Sequence, residues 1–176
     1  LHNPLETLLA ASGLLVGDDR LRFVFIGGGS GKKEVDELVA GGAPNVLSLP
    51  YQPKHTLGAS LGAADIHVVS LGDSMVGIIH PCKIYGAMAI GRPILLFGPA
   101  SCHAADILSR DNIGWHVAHG DVPATVAAIR EARQLSAESL RAIGSRARGV
   151  AAGQFTKDIL LTRFCNLIDS PSHHIV

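Results

Sequence analysis

Apolar residues in this chain switch repeatedly between helical spacing and short continuous runs. Leu5, Leu8, Leu9 and Leu15 recur at the interval of a helix, which predicts an amphipathic helix over residues 4–16. LRFVFIGGG follows, a β-rich run ending in glycines, as expected for a buried parallel strand and the turn after it. Val35, Leu38 and Val39 predict a second helix, and NVLSLP reads as a short strand. Leu57 and Leu61 predict a helix over residues 54–64, and the stretch from Asp65 to Val69 reads as the next strand. PCKIYGAMAIG is a short helix closed by Gly91, RPILLFG a strand, Ala104, Ile107 and Leu108 a further helix, and GWHVAHG a brief strand. Beyond Gly120 the pattern is helical: Asp121 caps one helix with Pro123 in its first turn, Ser136 caps the next, and Phe155–Ile168 forms the last.

Strand–helix alternation with nearly continuous apolar strands predicts an α/β fold, a doubly wound, Rossmann-like parallel sheet of five or six strands covered on both faces. Residues 1–168 are expected to form one domain and residues 169–176 a frayed tail. The 176 residues suffice for a single core, and the chain starts at Leu1, not Met, as if cut from something longer.

Composition narrows the partners. Hydrophobic residues are 47% and charged residues 17%, which excludes intrinsic disorder. Fifteen basic and 15 acidic side chains cancel, which argues against nucleic acid or an anionic membrane as the main partner. Three widely spaced cysteines without a CxxC pair fit free thiols in a reducing, cytoplasmic setting, and no apolar run reaches membrane-spanning length. Twenty glycines suggest loops whose backbone lines a ligand.

In such folds ligands bind outside the carboxyl ends of the strands, so the loops after strands are the candidates. IGGGSGKK (26–33) lies between a strand and a helix, where glycines let backbone approach a phosphate and Lys32 or Lys33 adds charge. It is not the dinucleotide fingerprint, because Lys32 stands in place of the last glycine and no acid follows about twenty residues on. It is not a P-loop either, and a tight turn without a ligand would have the same composition. SLGDSMVGIIHPCK (70–83) is long for such a loop and leads into a short helix, with His80, Cys82 and Lys83 around its start. Lys83 alone reads equally as an exposed lysine and His80 as one of nine scattered histidines; His173 and His174 in the tail take no role. There is no G-x-S-x-G elbow, and Asp73 is the single acid of these loops, so hydrolase chemistry and a metal-ligand cluster are not expected.

Taken in order, RFVFIGGG, NVLSLPYQPK, LGAADIHVVSL, GIIHPCKIYGAMAIGRPIL and GWHVAHGDVPATVAAI resemble the C-terminal half of GT-B glycosyltransferases. The resemblance is to family four (group 1), in the branch that builds lipopolysaccharide, capsule and exopolysaccharide, and it runs from about Leu5 to Phe164. It implies that this domain binds a nucleotide-diphosphate sugar donor. Gly28 and Gly29 match the loop lining the diphosphate and sugar cleft, and Tyr51 and Gln52 the segment that meets the nucleobase. The loop from Ser74 through Met75 and Gly77 to Ile78 matches the one along the donor sugar. His80, Cys82 and Lys83 match the approach to the helix whose N-terminus meets the diphosphate. One departure stands out: two glutamates that many members carry fall at Ile78 and Gly86 here, so the usual ribose-binding glutamate is unassigned. Some bacterial members read P-S-K-L-Y-G, close to PCKIYG, which gives Lys83 part of the donor contact.

The function so implied is transfer of a sugar to a glycan or lipid-linked acceptor when this domain is joined to an N-terminal acceptor-binding domain. The isolated chain is then expected to bind donor weakly and transfer nothing. No cofactor or metal is implied, no nucleic acid, and a cytoplasmic location, peripheral at the inner membrane face where the acceptor is lipid-linked. Two alternatives stay open: a nucleotide-sugar epimerase of the same fold, which would want acids at the sugar, and a non-catalytic binding or scaffold domain, for which the missing glutamates argue.

Overall fold

The computed structural model describes residues 4–169. Eight helices, α1 Glu6–Leu14, α2 Lys32–Ala40, α3 Leu57–Gly62, α4 Lys83–Ile90, α5 His103–Asp111, α6 Val122–Gln134, α7 Ala137–Gln154 and α8 Lys157–Asp169, are described. They alternate with strands β1 Phe23–Ile26, β2 Val46–Leu49, β3 His67–Ser70, β4 Ile94–Phe97 and β5 Gly114–Val117. Every strand pairing is parallel, as the continuous apolar runs predict. The strands fall into two hydrogen-bonded groups, β1-β2 and β3-β4-β5, which corrects the expectation of one continuous sheet.

β4 is the centre of the molecule, and all four of its residues are buried. Its side chains alternate between faces. Ile94 and Leu96 enter a cluster with Ile84, Met88, Ile107, Leu108 and Ala147, from α4, α5 and α7. Leu95 and Phe97 enter another with Leu8 of α1, Leu15 just after it, and Val126 and Ile129 of α6. The three-stranded group is therefore covered on both sides. Phe23 and Phe25 of β1 pack on the second cluster, but Val24, Ile26 and Leu47 on the opposite face are exposed. The expected double cover fails there for a local reason: α3 has only six residues, two of them glycine, and buries none. α8, read as amphipathic, likewise buries no residue, and it includes Asp169, which the sequence placed in the tail. The remainder of that tail, with His173 and His174, lies outside the described residues.

The predicted caps are present. The Ala124 amide donates to Asp121 Oδ1 at 2.9 Å with Pro123 beside it, and the Ser139 amide donates to Ser136 Oγ at 3.0 Å. Asp121→Ala is expected to lower stability by about 1 kcal/mol, measured as a shift in the urea midpoint at unchanged slope. Gly91 ends α4 in the left-handed region (φ 73°), where its amide and that of Arg92 close on the Met88 and Ala87 carbonyls. Arg148 and Arg146 of α7 then donate to the Ile90 and Asn112 carbonyls, both at 2.9 Å, placing positive charge at the C-terminal ends of α4 and α5.

Candidate functional site

The candidate residues sit on turns that leave the carboxyl ends of β1, β2 and β3. After β1 the chain must reverse into α2 within a few residues, and Gly27 and Gly29 do so at φ 109° and 131°. The Tyr51 ring, from the segment after β2, lies against this turn: side chains at Gly27 or Gly28 would meet it at 3.0 and 3.3 Å. A side chain at Gly29 would meet nothing within 4 Å, so its backbone is open. Tyr51 is 79% exposed, which leaves its outer face free to stack on a planar group. Gln52 is also exposed, its amide turned back to the Pro50 carbonyl at 3.0 Å.

Lys32 does not stand free in the glycine turn. Its ammonium donates to Ser48 Oγ and pairs with Asp36 at 3.3 Å, and Ser48 in turn donates to Asp36 at 2.5 Å. The Ser48 hydrogen bond is the main reason the Asp36 carboxyl lies below its ordinary range, with Lys32 adding to it. The charge of Lys32 is thus compensated inside the β2–α2 unit. Lys33, exposed, pairs with Glu37 at 3.7 Å.

The loop after β3 contains one 3-10 turn, Asp73–Met75. Ser74 and Gly77 (φ 76°) are exposed, whereas Met75 packs on the core and anchors the loop. Ile78, at one of the two expected glutamate positions, is 75% exposed, so an apolar side chain stands in the open where an acid was missing from the sequence. His80 is half-buried, and Cys82, exposed, forms the N-cap of α4 without a side-chain cap. Lys83 is the first residue of α4 and is exposed. The N-terminus of α4 is less open than a plain helix start: the Cys82, Ile84 and Tyr85 amides already bond to His80, Pro81 and Cys82 carbonyls. The Lys83 amide has no partner among the described residues.

One contact brings candidate segments together, Tyr51 over Gly27 and Gly28, and His80 sits in a ring cluster with two residues the sequence did not single out. Its ring centroid lies 5.2 Å from those of both Tyr85 and His103. Burial, and then His103, hold His80 below the ordinary histidine range, and burial pushes the Tyr85 hydroxyl up. His103 was not singled out in the sequence; the single available signal was its place after a strand's carboxyl end. His119 was missed too: its Nε2 meets the Leu71 carbonyl at 2.8 Å and ties the loops after β3 and β5 together. Among the described residues no group of three His, Cys, Asp or Glu side chains is placed to hold a metal ion, and no helix is long and apolar enough to cross a membrane.

Parallel strands, helices on both sides of β3–β5 and glycine-turned loops at the strands' carboxyl ends define a Rossmann-like half of a GT-B fold. Solved structures agree. The chain superposes on the sucrose-phosphate synthase (tll1590) of Thermosynechococcus elongatus with a TM-score of 0.74 at 19% identity, covering 96% of this chain and 42% of that one. On WaaG, a glycosyltransferase involved in lipopolysaccharide biosynthesis, the TM-score is 0.67 at 18% identity, covering 97% and 44%. Residues 2–134 match the family described as Glycosyl transferases group 1, and the chain belongs to that family. It is 30% identical over 164 residues to the probable glycosyltransferase WbjE of Pseudomonas aeruginosa, covering 91% of this chain. That match spans 39% of the relative's length.

Proposed function

We propose that this chain binds a nucleotide-diphosphate sugar and serves as the donor-holding half of a glycosyltransferase, whose acceptor is held by a second, N-terminal domain. The observation that carries the reading is the open glycine turn at the carboxyl end of β1 with an exposed tyrosine laid across it. Backbone at Gly28 and Gly29 can approach a diphosphate and sugar, and Tyr51 offers a face to a nucleobase, with Gln52 beside it. Ser74 and Gly77 border the sugar, anchored through Met75, and Lys83 meets the diphosphate. Lys32 acts indirectly in this reading, holding β2 and α2 together below the turn.

Chemically, sugar transfer releases a nucleoside diphosphate, and the charge that develops on it is what the enzyme must stabilise. Lys83 supplies a point charge and the first turn of α4 a positive dipole end. This chemistry needs no cofactor and no metal ligand from these loops. The acceptor is a glycan or a lipid-linked chain, and in the latter case the enzyme works at the cytoplasmic membrane face.

Calorimetric titration of the 176-residue chain with UDP, GDP and their sugars tests the reading. Weak binding of one nucleotide class, lost in Gly29→Val, is expected, with no sugar transfer by the chain alone. Absence of all nucleotide binding with the fold intact would favour a scaffold role. That second reading is favoured by the non-acidic Ile78 and Gly86 positions.

A further inference from the structure

Two imidazoles from different strand–helix loops face each other beyond β3 and β4. The His80 and His103 ring centroids are 5.2 Å apart with planes at 51°. His80 is braced from behind, since Tyr85 packs against it and Phe155 packs against Tyr85 at 5.0 Å. His80 Nε2 is buried and has no hydrogen-bond partner among the described residues. A buried polar atom without a partner is uncommon and calls for an explanation such as a missing ligand or a binding role. His103 is exposed, so the pair is open on its side. The titratable side chains at the start of the two helices that meet here are Cys82, Lys83 and Tyr85 on α4, and His103 and Asp106 on α5. Neither ring is engaged by a carboxylate among the described residues, so a negative charge is not already supplied.

We propose that His103, opposite His80, is a further donor-binding residue, and that the pair receives the donor's diphosphate with uptake of a proton from solvent. The inference rests on the donor-binding reading above and adds to it a residue and a pH dependence. In the free chain burial, and then the neighbouring His103, disfavour the charged form of His80. A diphosphate at the open side of the pair reverses the balance: a protonated ring offers it an N–H donor, and the anion favours the charged form. The sign follows. The free His80 ring titrates below the ordinary histidine range, and a bound anion raises it. Affinity therefore rises as pH falls, and levels off once the free His80 ring is itself protonated.

The test is titration of the 176-residue chain with UDP-glucose, UDP-N-acetylglucosamine and GDP-mannose at pH values from about 6 to 8, in two buffers of different ionisation heat. These diesters lack the phosphate ionisation near about pH 6 that a free nucleoside diphosphate has. The expected result is net proton uptake on binding, with affinity rising up to about tenfold per pH unit for each proton taken up. His103→Gln, at an exposed position, reduces the uptake and the slope. His103→Lys, which keeps a fixed charge, also reduces the slope but binds at the alkaline end more tightly than His103→Gln. Binding with no proton uptake, or a slope unchanged in both variants, overturns the role of His103 and leaves donor binding standing. Failure of all three sugars to bind at any pH overturns both.

Discussion

Gly144→Val is expected to lower the unfolding free energy by about 3 kcal/mol, and the melting temperature by roughly 6–12 °C. Gly144 is buried on α7 where that helix crosses the end of α4. A side chain there would overlap the Gly91 carbonyl and crowd the Arg92 Cα at 3.3 Å. The obstacle is backbone, and this backbone is itself fixed: Gly91 is the left-handed cap of α4, with Arg148 packed over it and bonded to the Ile90 carbonyl. Neither partner can give way by changing a rotamer, so the helices must separate, disturbing Ile84, Met88 and Ala147 in the same cluster. The control is Gly149→Ala, five residues further along α7. Gly149 is exposed and an added Cβ meets nothing within 4 Å. It should raise stability by up to about 1 kcal/mol through helix propensity. Thermal and urea unfolding of the two variants measures both effects, and similar losses in the two would sink the close-packing argument.

Gly144 also shows what the sequence makes legible. α7 itself is readable from Ser136 and from apolar spacing, because a cap and a helical period are local. The same holds for Asp121, for Gly91 as a helix terminator, and for β4, whose uninterrupted Ile94–Phe97 run means burial on both faces. That Gly144 rests on Gly91, 53 positions earlier in the chain, carries no local signature at all. The break between the two strand groups is illegible for a related reason. β1 and β3 both look like buried strands, and nothing local records that they do not pair or that Val24, Ile26 and Leu47 stay exposed beside a short α3.

The site divides in the same way. The strand-end rule depends on topology that the alternation of elements reveals, and the loops it picks out do leave the strands' carboxyl ends. Individual side chains are less predictable. Lys32 looks like a free phosphate ligand in IGGGSGKK, and only the β1-β2 pairing brings Ser48 within its reach. His103 looks like one histidine among nine, and only the adjacency of β3 and β4 sets it against His80. The family resemblance points to loops and carries no information on these side-chain contacts.

Lys83→Ala, made in the complete two-domain enzyme that the proposed function requires, should reduce sugar transfer by about a hundredfold to a thousandfold. That range corresponds to roughly 2.7–4 kcal/mol for removing one preorganised donor to a developing negative charge. The winding of α4 favours the large end. Cys82 provides no side-chain cap, and the Cys82, Ile84 and Tyr85 amides are spent on internal turns, leaving the Lys83 amide as the donor without a partner. The ammonium therefore carries more of the diphosphate's stabilisation than it would at a helix start with several free amides. Lys32, the other candidate cation, is compensated by Asp36, and Lys33 by Glu37. Because charge on the diphosphate grows as the glycosidic bond breaks, the loss should fall mainly on kcat, with a smaller rise in the donor KM. Lys83→Arg, which keeps the charge but not its compact shape, should restore part of the rate. Steady-state kinetics of the three proteins decides it: a Lys83→Ala enzyme with wild-type kcat would remove this lysine from the donor site.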